Sequence, residues 1–179
     1  MFFLYQILII ILLILSPLII GIRILKKKED KIRFKEKFCF PSKKRVKGNL
    51  IWFHGSSVGE ILSILPLIYE LEKNNSINQI LITSSTLSSA EIFKKFKFTK
   101  TVHQFFPIDS IFFSHKFLKY WKPTITIFVE SEIWPSIFKT LNKKNIPLLL
   151  LNARITKKTF IKWNYIKSFS KNIFRNISM

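Results

Sequence analysis

Five short apolar runs, at residues 50–53, 79–83, 102–106, 124–129 and 147–151, recur with helical patterns between them. Each is rich in Ile, Leu, Val or Phe with little alternation, as expected of strands covered on both faces of a parallel sheet. The intervening apolar residues return every three or four positions: Ile61, Leu65, Ile68 and Leu71; Ile92, Phe93 and Phe96; Ile111, Phe112, His115 and Leu118; Ile137, Phe138 and Leu141. Strand and helix therefore alternate, which predicts the α/β class, an open parallel sheet with helices on both faces and ligands beyond the carboxyl ends of the strands. Pro66 lies inside the first helical pattern and removes a hydrogen bond to the Leu62 carbonyl, which predicts a kink or a late helix start.

Ahead of this pattern, residues 1–22 carry no charged side chain, and only Gln6, Ser16, Pro17 and Gly21 interrupt an Ile/Leu/Phe run. As a helix the run extends about 33 Å, enough for the hydrocarbon core of a bilayer. It lacks the basic start and the small-residue cleavage site of a signal peptide, so it reads as a membrane anchor. Arg23, Lys26, Lys27, Lys28, Lys31, Arg33, Lys35 and Lys37 follow at once. Positive residues beside a span stay on the cytoplasmic side, which predicts a single pass with the amino terminus across the membrane and the remainder in the cytoplasm. The chain divides into an anchor (1–22), a basic linker (23–48), an α/β domain (49–155) and a basic helical tail (156–179).

The net charge is +20, with twelve Lys/Arg against three acids in residues 23–47 and no acid after Glu132. Phosphates of lipid or nucleic acid are the natural partners of such a chain, although a compositional bias toward Lys, Ile, Asn and Phe produces the same excess. The one cysteine, Cys39, forms no internal disulfide and belongs to no CxxC metal site.

The unusual polar residues gather where strands end: HGSSVGE after the first, TSSTLSSAE after the second, ESEIWP after the fourth and NAR after the fifth. At one end of a parallel sheet these four clusters line a single crevice. Glu60 reads either as a general base or as an acid favoured by the dipole of the helix it opens. Glu130 and Glu132 repel each other if close, so one carries a raised pKa or faces a cation. The hydroxyls of Thr83, Ser84, Ser85, Thr86, Ser88 and Ser89 offer hydrogen bonds to a sugar or phosphate at a helix amino terminus, or serve as ordinary caps. Arg154 binds an anion or pairs with Glu130 or Glu132. His54, His103 and His115 lack metal-ligand spacing and read as packing or local hydrogen-bonding residues. Neither GxGxxG nor GxxxxGK[ST] occurs, which argues against a nicotinamide enzyme or a P-loop NTPase.

An apolar amino-terminal segment, IRFKEKF, IWFHGSSVGE, TSSTLSSAE, FFPID, Trp-Lys-Pro, ESEIWP and PLLLLNARIT, in that order, resemble the 3-deoxy-D-manno-octulosonic acid (Kdo) transferases of lipopolysaccharide synthesis. The resemblance implies an inverting GT-B glycosyltransferase of two Rossmann-like domains, with this chain as the first. It implies Glu60 as the general base that deprotonates an acceptor hydroxyl and Glu130 as a stabiliser of the transition state. Ser56, Ser57, Gly59, Thr83, Ser84, Thr86, Glu132 and Arg154 would contact substrate. No cofactor or metal is expected. The donor would be CMP-Kdo, bound through a carboxyl-terminal domain that these residues do not include, and the acceptor a lipid A precursor at the bacterial inner membrane. Anionic lipids, not nucleic acid, would be the partners of the basic surface, and the chain alone would be inactive. Ser56 replaces a frequent Ala of the family, and Ser85 and Ser89 replace frequent Gly. Other readings of the same residues are a tethered, non-enzymatic binder of anionic lipid or nucleic acid, and another GT-B enzyme acting on lipid-linked sugars.

Overall fold

The computed structural model describes residues 1–130 and 132–178. Its core is a five-stranded parallel sheet of β1 (Leu50–His54), β2 (Gln79–Ser84), β3 (Thr101–Phe105), β4 (Ile125–Val129) and β5 (Leu148–Leu151), in the order β3-β2-β1-β4-β5. The observed strands agree with the apolar runs to within one residue at either end. The register sets Leu50 against Gln79 and Ile51 against Ile125, so the carboxyl ends of β1, β2 and β4 are level.

Side-chain alternation along β1 divides the core in two. Phe53 joins Ile80, Ile82 and Val129 beneath α2 (Val58–Lys73) and α3 (Leu87–Phe93), with Ile61, Ile64, Ile68 and Phe93 supplied by those helices. Trp52 faces the other way, among Phe117 and Trp121 of α4 (Ile111–Trp121), Phe138 of α5 (Pro135–Lys143), and Phe106 and Phe128. Trp52 and Phe117 lie 4.7 Å apart between ring centroids, within the range of attractive aromatic pairs. The first helix starts at Val58 and runs through Pro66, so the late start expected from that proline does not occur. Ser57 caps it with its hydroxyl, which secures the first turn well ahead of the proline.

Residues 23–48 are not a free linker. A 3-10 turn, Arg33–Phe38, straps the outer edge of β3. Arg33 Nη2 donates to the His103 carbonyl (3.1 Å), and Glu36 Oε2 accepts from the Phe105 amide (2.7 Å), so two side chains engage the edge strand as a neighbouring strand would. Arg33 holds Glu36 through both Nε and Nη2 (2.8 and 3.0 Å), and Ser42 donates to the same carboxylate. Cys39 is buried beside the strap, and loss of solvent pushes its thiol up to about 12.

The tail also differs from expectation, because only part of it is a solvated helix. Lys157–Tyr165 (α6) buries no residue, whereas Lys167–Phe174 (α7) buries Ser170 and Ile173. Ser178 then pairs its amide with the Leu148 carbonyl (2.7 Å) and covers the opposite edge of the sheet. Residues 167–178 thus belong to the domain.

The amino-terminal helix α1 (Phe2–Leu25) has the length and apolarity of a span, with a mean hydropathy of 2.9. Its amino end nevertheless rests on the domain: Tyr5 donates to Asp109 (2.6 Å) and Gln6 to Ser136 (2.8 Å). These two hydrogen bonds are made by the first turns of the helix; the rest of it lies largely exposed.

Removing Glu36 would leave Arg33 without its carboxylate and an amide of β3 without an acceptor. Glu36→Ala should cost about 3 kcal/mol, the usual scale for breaking one side of a buried pair, read as a lower urea midpoint in detergent.

Candidate functional site

The chain leaves β1 toward β2 on one side and returns on the other side of β1 as β4, so the sheet has its switch point between β1 and β4. Crevices open at such points because the loops leaving the two strands diverge to opposite faces. Glu60 follows β1 and Glu132 follows β4.

The first loop is tight. The amide of Gly55 donates to the Thr83 carbonyl (3.1 Å), and a Cβ at Gly55 would stand 3.0 Å from Glu60 Cβ, so a side chain there would crowd the carboxylate residue. Ser57 then caps α2: its Oγ accepts from the Glu60 amide (3.2 Å) and donates to Glu60 Oε1 (2.7 Å). Glu60 Oε2 accepts from the Ser56 amide (2.8 Å). The carboxylate, with 9% of the residue exposed, is held through both oxygens, and each oxygen keeps a lone pair that could accept a proton.

Ser56 joins the two acids. Its amide serves Glu60, and its hydroxyl donates to Glu132 Oε2 (2.6 Å) while accepting from Ser85 Oγ at 3.1 Å. Trp134 Nε1 donates to the same Glu132 oxygen (2.8 Å), and His54 Nε2 stands 3.5 Å away, longer than a good hydrogen bond. Burial alone would raise the Glu132 pKa. The contacts from His54, Ser56 and Trp134 together outweigh it and hold the carboxyl below the usual range. Glu132 is therefore an anion fixed by donors, not an acid raised by its neighbour.

Glu130 is half-buried and takes a left-handed conformation, φ 58°, while its amide donates to the Leu151 carbonyl (2.8 Å). Glu130 thus carries local backbone strain immediately after β4.

Thr83 and Ser84 do not face the crevice as substrate contacts would. Both are fully buried. Thr83 Oγ1 accepts from Trp52 Nε1 (2.9 Å) and lies 3.0 Å from His54 Nδ1, so it orients the imidazole beneath Glu132. Ser84 Oγ lies 2.8 Å from His103 Nε2. Arg33 can only donate, so its contact with His103 Nδ1 (2.9 Å) fixes the proton on Nε2, which then donates to Ser84. Ser57, Gly59, Thr86 and Arg154 are exposed at loops or helix starts that follow strand ends, and Thr86 also caps α3. The residue that sequence reasoning undervalued is His54. Its signal was a polar residue closing an apolar strand immediately before the glycine.

A cavity of about 610 Å³ lies between the amino end of α1, α5 and α7, lined in part by Phe2, Pro135, Lys139, Phe169 and Ile173. None of its lining residues belongs to the carboxylate cluster.

A family model described as 3-Deoxy-D-manno-octulosonic-acid transferase (kdotransferase) matches residues 32–179. The 3-deoxy-D-manno-octulosonic acid transferase of Rickettsia bellii is 41% identical over 177 residues, covering 98% of this chain and 42% of that protein. The protein of the same description from Rickettsia felis is 46% identical over 132 residues, 73% of this chain and 28% of the other. That of Haemophilus influenzae is 29% identical over 179 residues, 94% of this chain and 40% of the other. The chain thus spans less than half the length of these curated relatives. Among solved structures, UDP-GlcNAc 2-epimerase from Neisseria meningitidis aligns with a TM-score of 0.45 and 14% identity, over 69% of this chain and 38% of that one.

Burial and the Arg33 charge hold the His103 pKa down at about 3. An unfolded histidine takes its proton near pH 6.5, so the stability His103 contributes is complete above that pH and declines as pH falls from 6.5 toward 3. Urea midpoints measured between pH 7.5 and 4, values that bracket the ordinary histidine range, should fall for the native chain. They should fall less for His103→Gln, whose amide accepts from Arg33 without titrating.

Proposed function

The chain belongs to the 3-deoxy-D-manno-octulosonic-acid (Kdo) transferase family, and from that premise we propose that it is the acceptor-side half of an enzyme moving Kdo from CMP-Kdo to a lipid A precursor. The observation that carries this reading is the meeting of Glu60 and Glu132 through Ser56 at the switch point. Transfer to an alcohol needs a base within hydrogen-bond reach of the hydroxyl, and it needs negative charge beside the sugar as the nucleotide departs.

In this reading Glu60 takes the proton of the acceptor hydroxyl. That oxygen attacks the anomeric carbon of Kdo from the face opposite CMP, and the bond to the CMP phosphate breaks with inversion. Glu130 supports the positive character that develops on the sugar. Glu132 holds the Ser56 hydroxyl and so fixes the loop whose amide orients Glu60. Thr83 and Ser84 keep the floor in register from below, and Ser57, Gly59, Thr86 and Arg154 contact the phosphorylated acceptor. The donor, CMP-Kdo, is held by a carboxyl-terminal domain beyond these residues, and the 179 residues alone do not turn over. The work takes place at the cytoplasmic face of a bacterial inner membrane, where the basic surface meets anionic lipid.

The test is Kdo transfer from CMP-Kdo to a lipid A precursor in the full-length protein that contains this chain. Glu60→Gln should lower kcat by about 10²-fold or more, the usual contribution of a positioned base, with circular dichroism unchanged. Normal turnover by that variant would remove Glu60 as the base, and robust turnover by the 179 residues alone would remove the division of labour.

A further inference from the structure

Strand β1 ends on an imidazole, His54, that takes no part in the proton transfer assigned to Glu60. The residue is fully buried, and its ring stacks on Phe106 (3.9 Å between centroids) with Phe128 at 4.9 Å and Trp134 at 6.1 Å completing an aromatic enclosure. A plain aromatic side chain would suit such an enclosure equally well, so the two ring nitrogens need a separate reason to be there.

Those nitrogens differ in what they meet. Nδ1 lies 3.1 Å from the Thr83 carbonyl, which only accepts, and 3.0 Å from the Thr83 hydroxyl, which donates or accepts. It is therefore satisfied with or without a proton. Nε2 has no hydrogen-bond partner among the described residues, and it faces Glu132 Oε2 at 3.5 Å. A bare Nε2 would set its lone pair against a carboxylate, which repels, whereas a protonated Nε2 sets a donor against it, which attracts. With Nδ1 indifferent, Glu132 decides where the proton sits, and it belongs on Nε2. The distance stays long because Oε2 already accepts from Ser56 Oγ (2.6 Å) and Trp134 Nε1 (2.8 Å), one donor for each lone pair.

We propose that His54 is a positioning residue for the transfer reaction: a proton held on Nε2 steers Glu132 Oε2, and Glu132, through the Ser56 hydroxyl, steadies the loop whose amide orients Glu60. The contacts run from His54 Nε2 to Glu132 Oε2, from that oxygen to Ser56 Oγ, and from the Ser56 amide to Glu60 Oε2. The groups that surround the ring from the other elements, Thr83 of β2, Phe128 of β4, Phe106 and Trp134, carry no charge, so Glu132 is the titratable group that faces it. The consequence at Glu60 rests on the transferase reading. The proton on Nε2 does not, and it is measured without turnover.

Nitrogen-15 NMR of the chain in detergent, carrying His103→Gln and His115→Gln so that His54 is the one histidine left, reads that proton directly. At pH 7.5, about one unit above the ordinary histidine value, Nε2 should show a directly bonded, slowly exchanging proton. A bare Nε2 with the proton on Nδ1 alone would overturn the proposal. Kdo transfer by the full-length protein that contains this chain then separates positioning from packing. His54→Phe fills the aromatic enclosure without a donor, whereas His54→Gln fills it less well but brings an amide that donates from the place of Nε2. Positioning predicts a kcat about tenfold or more lower for His54→Phe, the scale of one lost hydrogen bond to a charged group, with substantial recovery in His54→Gln and KM within about twofold. Packing predicts the reverse order of the two variants, and either that order or a normal kcat for His54→Phe would overturn the proposal. Normal turnover by Glu60→Gln would instead overturn the assignment of the base, and with it the consequence at Glu60, without moving the NMR signal.

Discussion

Strand β1 has a strand on each edge and a helical layer on each face, so any polar group it carries must be satisfied inside the sheet or delivered to its carboxyl end. Trp52 solves this with a single bond from its indole to Thr83. His54, the last residue of the strand, cannot be solvated either, and its ring is enclosed by Phe106 at 3.9 Å between centroids and by Phe128 at 4.9 Å. One ring nitrogen turns to Thr83 and the other faces Glu132. The carboxylate cluster is thus a consequence of the central strand: the first place where its buried polarity reaches an opening is the place where the acids stand.

The two edges of the sheet are closed by similar means. At β3 the strap lends Arg33 and Glu36 to the free backbone groups, and at β5 the tail lends Ser178. Both closing segments come from the most basic parts of the chain. Apart from Lys37, which pairs with the buried Glu29, their lysines stay in solvent while a few other residues turn inward, so a high net positive charge is compatible with protected edges. Arg33 serves twice, since the guanidinium that fixes the edge also fixes the His103 tautomer and through it the Ser84 hydroxyl at the end of β2.

The sheet was legible in the sequence because burial on both faces writes a continuous apolar run, and five such runs are hard to place otherwise. The crevice was legible for a related reason: polar clusters that follow parallel strands must share one end. The strap was hidden. Glu36 is a single acid among cations, and its meaning comes from Phe105, 69 positions later. Thr83 and Ser84 were misread because a hydroxyl at the end of a strand looks the same whether it faces ligand or an indole beneath the floor. The bonds of Tyr5 and Gln6 to Asp109 and Ser136 were equally invisible, since they join residues more than a hundred positions apart.

The sequence leaves Glu60 divided between helix cap and catalytic base, and the geometry is compatible with both at once. A base must be held in one rotamer with a lone pair free, and the cap does this: Ser57 and the Ser56 amide each take one oxygen from the inner side. Losing the cap would leave a mobile side chain at the helix start, and losing the open lone pairs would leave only a cap. Gly55 belongs to the same arrangement, because a side chain there would crowd Glu60 Cβ. Ser56, placed between two acids with its amide committed to one and its hydroxyl to the other, makes the position of each carboxylate depend on the other. A single residue therefore links the two carboxylates, so the pair is one structural unit.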